Sequence, residues 1–164
     1  MSAQSSARIS VRIADLAVAG GESVLVTNGL GSCVAIVLYE REAKVGALAH
    51  ILLPNEVLSA ATEPAGKCAS SAVPAMVERM RALNGTGEIE ARLVGGASMF
   101  APLLIPGALS LGARNIVAAR AALAAADISV VGEDVGGDHG RSVTFDVKTG
   151  RVFVRSVAKG DVHL

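Results

Sequence analysis

Apolar positions in this chain gather into short runs divided by turn residues. Two runs are continuous, Cys33 to Tyr39 and Val45 to Leu53, and Pro54-Asn55 closes the second. Runs of this length without a polar alternate suit strands buried on both faces. Arg8 to Ile13 alternates and reads as a strand, and Ser23 to Thr27 is a short β-rich run stopped by Asn28-Gly29. Glu88 to Val94 and Ile128 to Glu133 read as two further strands. Arg141 to Val147 and Arg151 to Val157 predict a hairpin around Lys148-Thr149-Gly150.

The period changes between these runs. Ala69, Ala72, Val73, Met76, Met80 and Leu83 recur at helical spacing, which predicts an amphipathic helix over 69–84 ended by Asn84-Gly85. Pro74 either sits near its start or kinks it. Ala113 to Ala126 is an Ala-rich second helix. Neither an internal repeat nor a linker interrupts the pattern. The expectation is therefore one domain over residues 1–164, with 1–7 as a flexible lead. Its class is α+β: mostly antiparallel strands with two main helices, at least one helix layer lying over the sheet.

Composition narrows the picture. The only aromatic residues are Tyr39, Phe100, Phe145 and Phe153, so the core must be built from Val, Ile, Leu and Ala. Lys plus Arg equal Asp plus Glu at 15 each, a balance that gives no electrostatic footprint for nucleic acid or an anionic membrane. The polar start lacks the pattern of a signal peptide. The longest uncharged stretch, Leu93 to Ala113, is broken by Gly95, Gly96, Pro102, Pro106, Gly107 and Gly112, which excludes a membrane span. The expected compartment is the cytoplasm, where Cys33 and Cys68 would be reduced thiols.

The candidate chemistry lies in the hairpin of the two apolar runs. If Glu40-Arg41-Glu42-Ala43 is the loop, Tyr39 faces Lys44, and counting back along both strands places Cys33 opposite His50. Such pairs share a face, with Cβ atoms about 4.5–5.5 Å apart, and a slip of one residue would separate them. A thiolate is a strong nucleophile, and a neighbouring imidazole can take its proton and later return it to a leaving amine. A third group usually fixes the imidazole tautomer. Thr27, upstream at a strand end, carries the nearest hydroxyl. Between it and Cys33 lies Asn28-Gly29-Leu30-Gly31-Ser32, whose glycines can aim N–H groups at a developing oxyanion. Ser32, Gly31, Gly95, Gly96 and Phe100 are the candidates for contacting substrate.

Plainer readings compete. Buried cysteine and core histidine are common structural residues, so the weight rests on their combination. Cys68 reads as helix packing, Gly95-Gly96 as a tight strand exit or a site lining, and His139 and His163 as solvated. Glu133 and Asp134 should point to opposite faces, which argues against a paired-carboxylate site and leaves them as a turn approach.

Two segments carry a specific resemblance: Thr27-Asn28-Gly29-Leu30-Gly31-Ser32-Cys33-Val34 and Val45-Gly46-Ala47-Leu48-Ala49-His50-Ile51-Leu52-Leu53-Pro54. With Gly95 to Phe100, Leu111 to Asn115, Glu133 to Gly137, Gly140 to Val143 and Thr149 to Arg151 following in order, the chain resembles the CheD family of chemoreceptor glutamine deamidases. The resemblance implies an α/β/β layered sandwich and hydrolysis of glutamine side-chain amides on methyl-accepting chemotaxis receptors. It implies Cys33, His50 and Thr27 as the catalytic residues and some methylesterase activity. It also implies the phosphatase CheC as a partner, and neither a metal nor an organic cofactor. The alternative is a non-catalytic binding module for CheC or receptor in chemotactic adaptation. The chain departs from the family at Cys68, Ala69 and Ser70, where an aromatic residue and then Ala-Asp are usual, and at Asn28, where an aliphatic residue is common. The stretch Ala101 to Leu109 is unusually apolar. Phe100 to Leu109 could accept a receptor helix or simply cap the core.

Overall fold

The computed structural model describes residues 6–55, 63–99 and 107–164. Its strands are β1 (Arg8–Ser10), β2 (Leu16–Gly20), β3 (Val24–Leu30), β4 (Val34–Glu40), β5 (Val45–Ile51), β6 (Ile89–Gly95), β7 (Ser129–Val135), β8 (Arg141–Asp146), β9 (Arg151–Arg155) and β10 (Val162–His163). Helix α1 (Ala69–Ala82) precedes β6, and α2 (Leu111–Ala125) precedes β7. The strands make two sheets, ordered β1-β3-β8-β9-β10 and β2-β5-β4-β6-β7. Pairing is antiparallel except between β1 and β3 and between β6 and β7. For the second of these, α2 supplies the crossover that parallel neighbours require.

The continuous apolar runs became β4 and β5, side by side in the second sheet and buried at every position. Alternation then divides them between two cores. Val34, Ile36, Leu38, Ala47, Ala49 and Ile51 face the helices and pack with Val73, Met76, Met80 and Leu123. Cys33, Ala35, Val37, Tyr39 and Leu48 face the first sheet and pack with Leu25, Val143, Phe145 and Val152. The layers therefore run helices, sheet, sheet, which is the expected α+β sandwich. Phe145 stands edge-on to Tyr39, with ring centroids 5.7 Å apart. Gly46 leaves room for that ring, because a Cβ there would collide with it.

Several boundaries differ from the sequence reading. The β4–β5 turn occupies residues 41–44, one residue later than expected. Both oxygens of the Glu40 carboxylate accept backbone N–H groups, from Glu42 at 2.8 Å and Ala43 at 3.1 Å, so Glu40 stays in the strand. Asn28-Gly29 does not end β3. It forms an irregularity between Thr27 and Leu30, with Gly29 at φ 71°. Helix α1 continues through Pro74 and ends in a Schellman motif, in which Asn84 takes φ 66° and Gly85 N–H donates to Met80 O at 2.9 Å. Strands β2 and β10 were not foreseen.

Candidate active site

The shifted turn changes how the thiol and imidazole meet. His50 pairs with Ala35 and Ile51 with Val34, so Cys33, one residue ahead of β4, is diagonal to His50 rather than directly opposite. The offset from the expected register is two residues. An even slip preserves the face, and both side chains still point towards the first sheet. The main chain of His50 is held separately: its N–H donates to Asp15 O at 3.0 Å and its carbonyl accepts from Ala14 N–H at 2.9 Å.

Thr27 reaches the imidazole from the other sheet. Its Oγ1 lies 2.7 Å from His50 Nδ1 and 2.7 Å from Val11 O, and all of it is buried. A hydroxyl has one proton, and a carbonyl can only accept. Thr27 therefore donates to Val11 O, and its oxygen accepts from Nδ1–H. The neutral ring then carries its proton on Nδ1 and a bare lone pair on Nε2. Nε2 is buried without a hydrogen-bond partner. This arrangement provides a base with its lone pair on the atom away from the orienting group. Thiol–imidazole bonds are often long before substrate binds.

The backbone around Cys33 is clamped by the end of β6. Gly96 N–H donates to Cys33 O at 2.8 Å, and Ala97 N–H donates to Gly31 O at 2.9 Å. Gly95 takes φ 106°, and a Cβ there would strike the Cys33 carbonyl. These two glycines thus support the cysteine backbone. Asn115 on α2, fully buried, adds bonds to Ser32 O at 2.9 Å and Leu52 O at 3.2 Å. Sequence reasoning missed Asn115. The available signal was a polar residue on the same stripe as Ile116, Ala119 and Leu123, which α2 buries.

Burial acts on both titrating groups in the same sense. It pushes the Cys33 thiol above its ordinary value, partly offset by the cysteine's own backbone N–H, and it lowers the His50 imidazole. Each shift disfavours the charged form. Both groups are therefore favoured in their neutral forms, thiol and imidazole.

A cavity of about 280 Å³ adjoins this loop, lined among the described residues by Ser32, by Ala97 to Met99 and by Ser110 to Gly112. Gly31 lies under Met99, and a Cβ on it would come 3.2 Å from the sulfur. Phe100, and most of the segment from Phe100 to Leu109 considered for docking, lie outside the described residues. A larger cleft of about 790 Å³ between α1 and α2 holds none of the candidate residues.

The remaining candidates fall elsewhere. Cys68 is buried at the start of α1 and bridges to Leu53. His139 is not solvated: its side chain is only 12% exposed and packs in the turn before β8. His163 rests on Phe153. Glu133 and Asp134 lie in β7 rather than in a turn approach, and they diverge as adjacent strand residues must: Glu133 binds Arg120 and Asp134 binds Arg141. Among the described residues, no group of three His, Cys, Asp or Glu could hold a metal ion, and no helix is long and apolar enough to cross a membrane.

Residues 52–156 match the family model described as CheD chemotactic sensory transduction. The chain belongs to the CheD family. Whole CheD relatives align over more of it. The "Probable chemoreceptor glutamine deamidase CheD" of Desulforamulus reducens is 39% identical, covering 94% of both chains. The "Probable chemoreceptor glutamine deamidase CheD 2" of Geobacter metallireducens is 44% identical over 91% of this chain and 93% of its own. The "Chemoreceptor glutamine deamidase CheD" of Thermotoga maritima is 39% identical over 92% and 93%.

Proposed function

We propose that this CheD protein hydrolyses the side-chain amides of glutamines on methyl-accepting chemotaxis receptors in the cytoplasm, with Cys33 as nucleophile, His50 as proton carrier and Thr27 as its orienting group. The names of its relatives support the substrate class. The observation that carries the residue roles is the Thr27–His50 bond, which leaves a bare, buried Nε2 on the face shared with Cys33.

The steps follow from that geometry. Sγ attacks the amide carbon while its proton passes to Nε2, and the C=O π pair moves onto oxygen. Collapse of the tetrahedral intermediate restores C=O and breaks the C–N bond, and Nε2–H gives its proton to the departing nitrogen, which leaves as ammonia. Water then attacks the thioester, Nε2 takes the proton of water, and the thiolate leaves and is reprotonated, giving glutamate. A glutamyl methyl ester would enter the same thioester by losing methanol, so one site serves both substrates. The apolar mouth beside Ser32 and Met99 is where a receptor helix or the phosphatase CheC would dock.

The test is peptide mass spectrometry of a receptor cytoplasmic fragment incubated with wild-type, Cys33→Ala and Cys68→Ala proteins. Wild type and Cys68→Ala should convert specific glutamines to glutamates. Cys33→Ala should convert none while melting close to wild type. Conversion by Cys33→Ala at near wild-type rate would remove Cys33 from the mechanism. A wild-type protein that binds receptor or CheC without any conversion would establish the binding-module alternative.

A further inference from the structure

The amide of Asn115 joins the residue before Cys33 to the residue after β5, just beyond the ladder pair Val34–Ile51. Nδ2 donates both of its protons, one to Ser32 O at 2.9 Å and one to Leu52 O at 3.2 Å. Ser32 immediately precedes Cys33, and Leu52 follows His50 by two residues. Two carbonyl acceptors fix which end of the amide faces them, because Oδ1 in that place would oppose two other oxygens. Asn115 is fully buried, and its Oδ1 has no partner. A buried amide half-satisfied in this way is costly to keep, so its position calls for a reason.

The reason lies in the plane of the Ser32–Cys33 peptide. It is trans, as are all the described peptide bonds, so its C=O and N–H point in opposite directions. Asn115 stands in the helix layer and draws the Ser32 carbonyl to that side. The Cys33 N–H is thereby turned to the other side, where its own side chain packs among the residues between the sheets. No other described residue offers it a backbone acceptor. It favours the thiolate of its own side chain. The clamp from Gly96 N–H to Cys33 O holds the next peptide, so the residue is fixed at both ends.

We propose that Asn115 is a positioning residue that, by holding the Ser32 carbonyl, aims the Cys33 N–H at the oxygen of the tetrahedral intermediate. This rests on the reading of Cys33 as nucleophile. When the Sγ–C bond forms and the carbonyl pair moves to oxygen, that oxygen sits one bond from the carbon attached to Sγ, within reach of the N–H of the same residue. In the ground state the donor serves only its own Sγ, and it meets the substrate oxygen only as charge develops there, which is the condition for a gain in kcat rather than in binding.

The test is Asn115→Leu, which keeps the volume and helix but lacks both donors, measured beside Cys33→Ala. Removing an oxyanion donor costs about 10²–10³ in kcat, so misaiming one should cost at least about tenfold. KM for receptor fragment should stay within about threefold, since the donor acts after binding. Alkylation of Cys33 by iodoacetamide forms no oxyanion and should be unchanged. Loss of alkylation together with kcat would mean that Asn115 only holds the thiol in place, and would overturn the proposal. Unchanged kcat would overturn it too. Activity retained by Cys33→Ala would instead bring down the nucleophile assignment, a separate result. If Asn115→Leu does not fold, wild-type protein decides. With cysteine labelled in ¹⁵N, the adduct of Cys33 with a receptor peptide bearing an aldehyde in place of the carboxamide should move the Cys33 amide proton strongly downfield. An unmoved resonance would refute the aim of that N–H.

Discussion

Replacing Thr27 by valine isolates the tautomer argument from every other feature of the site. Valine has nearly the shape of threonine and places a methyl group where the hydroxyl lies, 2.7 Å from both Val11 O and His50 Nδ1. The imidazole then faces a choice. It can keep the proton on Nδ1, buried and without an acceptor, at a cost of about 1–3 kcal/mol. Otherwise it can move the proton to Nε2, where the ring cannot accept from Cys33. Either way the reactive tautomer rises in energy by about that amount, which is roughly 5- to 150-fold in kcat at 1.4 kcal/mol per factor of ten. KM should hardly change, because Thr27 is fully buried and touches no substrate. Thr27→Ser restores the hydroxyl and should recover most of the loss. Ammonia release from a receptor fragment gives both constants, and ¹⁵N chemical shifts of the His50 ring report the tautomer directly. A valine variant with wild-type kcat, or a ring that keeps Nδ1–H without loss of rate, would refute the reasoning.

Further outcomes follow from the same geometry. Burial holds the His50 imidazole below its ordinary 6.5 and the Cys33 thiol above its ordinary 9.0, so the acid limb of kcat/KM should fall below 6.5 and alkylation of resting Cys33 should keep rising past 9.0. The unfolded chain takes up the His50 proton first as pH falls through 6.5, so stability should decline there with falling pH, a slope that His50→Gln removes. An acid limb above 6.5, or alkylation already at its plateau at neutral pH, would contradict the neutral resting pair. Gly95→Ala should lower stability by roughly 1–3 kcal/mol through its positive φ alone. It should also displace the Cys33 carbonyl and abolish turnover; full activity in calorimetrically normal protein would show that the clamp is not needed.

The sequence made the centre of the fold legible because strands buried on both faces cannot hide their composition. Val34 to Tyr39 and Val45 to Ile51 have no polar alternate except His50, and that exception was the useful one. The register differs from the sequence expectation because Glu40, charged and so loop-like in sequence, stays in the strand and caps the turn with its carboxylate. The offset is even, so the face survives. Strand β2 escaped notice because Leu16 to Gly20 has little alternation and only one β-branched residue; its pairing with β5 makes it a strand. The role of Asn115 has no local signature, since its partners, Ser32 and Leu52, are 83 and 63 residues away. No local pattern encodes a carbonyl as a partner, and Val11 O was hidden for the same reason.

The Thr27–His50 bond crosses from one sheet to the other, and this divides the interior into two regions with different tolerance to change. On the helix side, residues such as Val73, Met76 and Leu123 can exchange volume with one another, because no reacting group lies in that layer. Between the sheets, Leu25, Val37, Val143 and Phe145 set the spacing across which a 2.7 Å bond must close. An added methylene there would shift the imidazole before it unfolded the protein. Sequence drift in this chain should therefore run freely through the apolar positions of the helix layer, Asn115 excepted, and be arrested between the sheets. A randomised library selected for activity would recover many solutions at Met76 and few at Val143.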